Sequence, residues 1–346
     1  MRLRVFVVAA LVSHAVTAFS RRSEADCMPG NAFTSAARSA RVLVVRAAIV
    51  PRQPFTATLS VERALYGPAA PRSITMRFNP LSGTSFTQGQ RYLVFVSPRG
   101  EVEGGCSTVN LADPNARTVV DALRDWFAAQ SDSARVAVLV RTIAAPPSKA
   151  AGDAASFLAA SPALLGAIDA SARASLIRAI PTAHDERAYG IAWTLARLHA
   201  IESLPAWIAW LSVSHNGANP RPVHDALELM TNHHDPAYTR GQDFSGDMRQ
   251  QIPRNWTQWE AAHRGQAPAV FLPSGFRERG IAVGSLTDRA QIAAALRGIA
   301  SGSSDEVSRQ VLTNACEMSV RPAQSAMAHS FSAVDVSRAL AVCATP

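Results

Sequence analysis

A chain of 346 residues with 48% hydrophobic and 17% charged side chains has ample material for buried cores and a length suited to two domains or three. Its formal net charge of +8 would suit an acidic partner, but Lys149 is the only lysine and the arginines are scattered among alanines. No basic run with interleaved aromatics occurs, so a nucleic-acid interface is excluded.

At the amino terminus, Arg2 and Arg4 precede an apolar run from Val5 to Val12, and Val16-Thr17-Ala18 offers modest side chains for cleavage. This is the pattern of an export signal over residues 1–18. The run is shorter than the roughly 20 residues that span a bilayer, and no later segment reads as transmembrane. Glu24-Ala25-Asp26 is too acidic for a lipidation site at Cys27. The expected location is therefore periplasmic or secreted, where cysteines pair. Cys27, Cys106, Cys316 and Cys343 all lie beyond the leader, and four cysteines allow three full pairings. A composition change near residue 127 favours Cys27–Cys106 and Cys316–Cys343, one bridge in each region. No CxxC occurs, which argues against thiol-redox chemistry.

Strand patterns begin at Arg41. Val42 to Val45 is a continuous β-branched and apolar run, and Phe55, Ala57, Leu59 and Val61 then alternate with polar residues. Gly67-Pro68 breaks the chain, and Ile74, Met76 and Phe78 resume the alternation. Tyr92 to Val96 is apolar on both faces, as a central strand should be. Asp113 and Pro114 suit the N-cap and first position of a helix that carries Val119, Leu123 and Trp126 on one stripe. Several short strands and one packed helix predict a small five-stranded barrel of the OB type over residues 27–128.

The segment Phe86-Thr87-Gln88-Gly89-Gln90-Arg91-Tyr92-Leu93-Val94-Phe95, followed by Cys106, resembles the late strand and disulfide of a netrin-like module, the fold of tissue inhibitors of metalloproteinases and their bacterial relatives. Cys27 at the domain start and the phrase Val61-Glu62-Arg63-Ala64-Leu65-Tyr66-Gly67 add to the resemblance. In the animal inhibitors the family implies an amino-terminal cysteine that chelates zinc through its free amine and carbonyl. Cleavage after Ala18 leaves residues ahead of Cys27, and Cys27-Met28-Pro29 lacks the Cys-x-Cys start. The resemblance therefore implies the fold, and inhibition of a metalloprotease stands as an alternative function.

Beyond Ser131 the periodicity turns helical. Ala145-Pro146-Pro147-Ser148 and Gly152 read as a linker or long turn ahead of a helical domain over residues 150–265. Leu176, Ile177 and Ile180 end at Pro181. Tyr189, Trp193, Leu195, Ala196 and Leu198 share a broad face, and Trp207, Ile208 and Leu211 point inward after Pro205. Ala192 to Leu198, followed by Leu204-Pro205-Ala206-Trp207-Ile208, resembles HEAT-like repeats, which implies an α-solenoid with a surface for protein contacts. Gly241 to Phe244, followed by Trp256-Thr257-Gln258-Trp259, resembles the terminal helix that ends such arrays. Residues 285–346 read as a helical cap, with Ser303–Glu306 and Ser332–Asp335 as capping boxes and Cys316 bridged to Cys343. The expected fold class is thus α+β and multidomain, a small barrel followed by an all-α region.

His215, His224, His233, His234 and His263 concentrate in one stretch with Asp225, Asp235 and Asp243. Imidazoles and carboxylates can assemble a zinc site, but no HExxH or equivalent pair of histidines one helical turn apart is present. His233 and His234 are adjacent and must point apart. These histidines are therefore expected at loops and helix ends, with no metal ligand assigned. No G-x-S-x-G elbow surrounds any serine, and Trp256 with Trp259 reads as a packed helix face. The expectation is a noncatalytic protein without cofactor that binds another envelope or extracellular protein. A zinc-dependent hydrolase built from the histidine stretch is the remaining alternative.

Overall fold

Continuous apolar runs need cover on both faces, and the strand over Arg41–Ile49 (β1) finds it at the centre of a five-stranded antiparallel sheet. The computed structural model describes residues 30–50, 56–77, 86–102, 108–213, 219–238, 244–300 and 306–319, together with Cys343. The leader over residues 1–18, Cys27, Phe55, Phe78, Cys106 and the capping box at Ser332 lie outside them. The chain divides into two compact units, residues 1–127 and 128–346.

In the first unit, β1 lies between β2 (Thr56–Tyr66) and β4 (Arg91–Val96), with β3 (Ser73–Arg77) beyond β2 and β5 (Val109–Asn110) beyond β4. The described pairings leave β3 and β5 at opposite ends of the sheet, unpaired with each other. One face buries Leu43, Val45, Ala47, Leu59, Met76 and Val94 in a single cluster. Val42, Val44, Leu93 and Phe95 alternate onto the other face and are also buried. Phe33 of α1 (Ala32–Arg38) and Trp126 of α2 (Ala116–Ala128) meet edge to face, with ring centroids 6.4 Å apart. Tyr66 at the end of β2 stacks on Phe127 at 4.1 Å, which fixes α2 to the sheet. Gly67 then turns with φ of +95°, and a Cβ there would collide with the Ala40 carbonyl.

One helix start differs from expectation. The Asp113 carboxylate accepts from the Asn115 N–H at 2.8 Å, so it closes a tight turn ahead of α2, whose first residue is Ala116.

The second unit is helical throughout its described residues. Its elements are α3 (Asp132–Ala144), α4 (Lys149–Ala159), α5 (Pro162–Leu165), α6 (Ala170–Ala179), α7 (Asp185–Arg197), α8 (Leu204–Ser212), α9 (Arg221–Thr231), α10 (Gly246–His263), α11 (Pro268–Glu278), α12 (Arg289–Ala300) and α13 (Glu306–Ser319). Ser131, Ser148 and Asp169 cap α3, α4 and α6 by accepting first-turn N–H groups. The helices pack on one another, α4 on α7, α7 on α9 and α9 on α13 in one row, with α3 on α4 and α6, and α8 on α10. Two corrections to the sequence reading concern small residues. Gly152 lies inside α4, not in a linker, and Ser148 caps that helix. The buried face of α7 runs through Ala188, Gly190, Ile191, Ala192, Leu195 and Ala196, leaving Tyr189, Trp193 and Leu198 only half-buried. Cys316 of α13 and Cys343 stand at disulfide distance, with Cα atoms 5.2 Å apart.

Candidate functional site

The histidine stretch condenses around α9 and the turn that follows it. His224 sits in the first turn of that helix and Glu228 one turn later, so both side chains project from the same face. Both are fully buried, while Asp225 beside them is partly exposed. Helix α9 ends at Asn232, whose left-handed φ of 55° turns the chain sharply back on itself. The Asn232 amide donates to the Leu272 carbonyl at 2.8 Å, and Arg279 donates to Asn232 Oδ1 at 2.9 Å and to its carbonyl at 2.7 Å. Gly275 lies so close to the Asn232 carbonyl that no Cβ fits there.

That reversal returns His234 and Asp235 to the buried acid of α9. His234 Nδ1 lies 2.8 Å from Glu228 Oε1, and the Asp235 N–H donates to the same oxygen at 3.2 Å. Asp235 is itself buried. Its Oδ1 accepts from Ala237 N–H at 2.9 Å and from Asn255 Nδ2 of α10 at 2.7 Å, and its Oδ2 faces His224 Nε2 at 3.7 Å. Burial pushes the Asp235 carboxyl up, but the His224 ring and these two donors outweigh it and hold the carboxyl below its ordinary range.

Aromatic rings wall the site. The Tyr238 ring lies 4.2 Å from that of His224, with Phe244 and Trp256 each at 5.8 Å. His233 turns the other way, packing on Trp256 and Trp259 at 5.5 and 5.8 Å, and burial lowers its pKa. His263 stacks on Trp259 at 4.2 Å. Trp256 is buried and Trp259 half-buried, so the pair forms a helix face against these rings.

Of the residues singled out in the sequence, the fold brings together His224, Asp225, His234 and Asp235 and parts them from His233 and His263. His215 and Asp243 lie outside the described residues. Glu228 was missed. The signal for it was present as a His–Glu pair one helical turn apart, which a search for paired histidines passes over.

One ligand atom each from His224, Asp225 and Glu228 lie within 4.8 Å of one another. Among the described residues, neither His224 Nδ1 nor Glu228 Oε2 has a hydrogen-bond partner. Comparison of the chain with family models, curated proteins and solved structures found no match.

Proposed function

We propose that this chain is an exported, noncatalytic protein of the bacterial envelope or extracellular space that binds another envelope or extracellular protein. In this reading the first unit is an OB-type, netrin-like module and the second a HEAT-like solenoid. The observation that carries it is the packing order of the helices. Helices α4, α7, α9 and α13 pack one on the next in a row, as they do when helix pairs repeat along an axis. Stacked pairs bury a shared core and leave long outer surfaces for contact with a partner. A fold of this kind does not name the partner.

The leader is tested first, by mass spectrometry of the mature chain. A terminus just after Ala18 is expected, whereas Cys27 as the first residue would favour metalloprotease inhibition through a free amine. The partner is then sought by photo-activated cross-linking of the exported protein in its own compartment. One partner captured saturably, and displaced by excess unlabelled chain, supports the reading. A protein that captures nothing saturable yet turns over a substrate reproducibly overturns it.

A further inference from the structure

We propose that His224, Asp225 and Glu228 of α9 form a binding site for a divalent first-row transition-metal ion, independently of any protein partner. Two donors that each lie about 2.1 Å from one ion stand no more than about 4.2 Å apart. The three side chains already place a donor each within 4.8 Å of one another, so a side-chain adjustment of less than about 1 Å closes them on an ion.

Three features make the set more than a chance gathering of acids. First, an imidazole and a carboxylate are buried here with unmet bonding capacity: His224 and Glu228 are at most 1% exposed, and His224 Nδ1 and Glu228 Oε2 lack a hydrogen-bond partner among the described residues, while Nε2 faces Asp235. Polar groups withdrawn from water in this state are unfavourable, and a cation supplies what they lack. Second, the candidate ligands are held from behind. His234 and the Asp235 N–H occupy Glu228 Oε1, which leaves Oε2 for an ion. Asp235, fixed by Asn255 and the Ala237 N–H, faces the His224 ring at 3.7 Å, the relation in which a carboxylate orients a ligating histidine. Third, the rings of Tyr238, Phe244 and Trp256 form an apolar wall around His224, while partly exposed Asp225 gives the ion a way in.

One nitrogen and two carboxylate oxygens suit zinc or manganese better than calcium or copper(I). Spacing at i, i+1 and i+4 takes all three ligands from a single helix, so the remaining coordination positions fall to water or to a bound anion.

The test uses the full mature chain, dialysed against a chelator and then titrated calorimetrically with zinc and, separately, with manganese. Elemental analysis of the reloaded protein counts the ion. About one equivalent of one of these metals is expected, with a matching rise in Tm. Asp225→Asn keeps the shape of a partly exposed side chain and is expected to weaken binding at least tenfold. Glu228→Gln is expected to abolish binding, and His263→Ala, outside the set, to bind as the parent does. Since Glu228 is buried and its variant can fail to fold, Asp225→Asn decides the matter. A parent chain that takes up neither metal, or an Asp225→Asn chain that binds as tightly as the parent, overturns the proposal.

Discussion

Asn232 shows how much one residue can carry. It is fully buried, adopts a left-handed backbone at the end of α9, donates to Leu272 and accepts twice from Arg279. Asn232→Ala keeps a Cβ in a left-handed conformation that alanine tolerates less well than asparagine, and it strands the Leu272 carbonyl, for a loss of about 1–3 kcal/mol. Urea unfolding should show the combined loss, and Asn232→Gly should recover the backbone part alone. Glu62 makes a second residue-scale case. Its carboxylate joins Arg46 of β1 at 2.8 Å and Arg91 of β4 at 2.7 Å. Burial pushes this carboxyl up, yet Arg91 and then Arg46 prevail and hold it below the ordinary glutamate range. A depressed carboxyl stabilises the fold fully above the unfolded pKa and loses that contribution as pH falls through the folded one. Acid titration of stability should therefore be shallower below pH about 4.5 in Glu62→Gln than in the parent. Neither role was legible in the sequence. Asn232 reads as an ordinary helix stop and Glu62 as an ordinary surface charge, because their partners lie on other elements.

At the scale of elements, large side chains were easier to read than small ones. The runs Val42–Val45 and Tyr92–Val96 gave two central strands correctly, since an unbroken apolar stretch needs cover on both faces. The seam between α4 and α7 was misjudged. Gly190 of α7 meets the backbone of Ala155 and Ser156, and the buried faces of both helices are rich in alanine, whereas the sequence reading followed Tyr189 and Trp193. A Cβ on Gly190 would overlap the backbone of Ala155. Gly190→Ala should therefore cost about 1–3 kcal/mol by forcing the helices apart, even though alanine favours helix, and thermal unfolding will read the loss. The metal candidate escaped for a related reason: a histidine and a glutamate one turn apart on α9 look like routine amphipathic patterning until the turn at Asn232 brings Asp235 behind them.

Taken whole, the chain carries two compact units, each with its own core, and the composition change near residue 127 marks the place where one gives way to the other. Strand and helix class were legible because periods of two and of 3.6 leave different marks on a sequence. Packing partners were not, because they depend on which distant segments the turns bring together. The carboxyl-terminal cysteines act at this scale. Cys316 and Cys343 are 27 positions apart, and a bridge closing that loop constrains the unfolded chain by about 3–4 kcal/mol in the chain-entropy picture. Cys316→Ser should lower the unfolding temperature of the helical unit and leave that of the sheet unit in place, which differential scanning calorimetry will resolve. Lys149, paired with Asp153 at 3.0 Å in the first turns of α4, has a practical consequence. Because every other cationic side chain except histidine is a guanidinium, amine-directed reagents find one ε-amino group in the entire sequence. Succinimidyl esters should attach a single dye there beyond the chain terminus, a ready-made address for fluorescence, and lysine-bridging reagents will pass over almost all of the surface that a partner would touch.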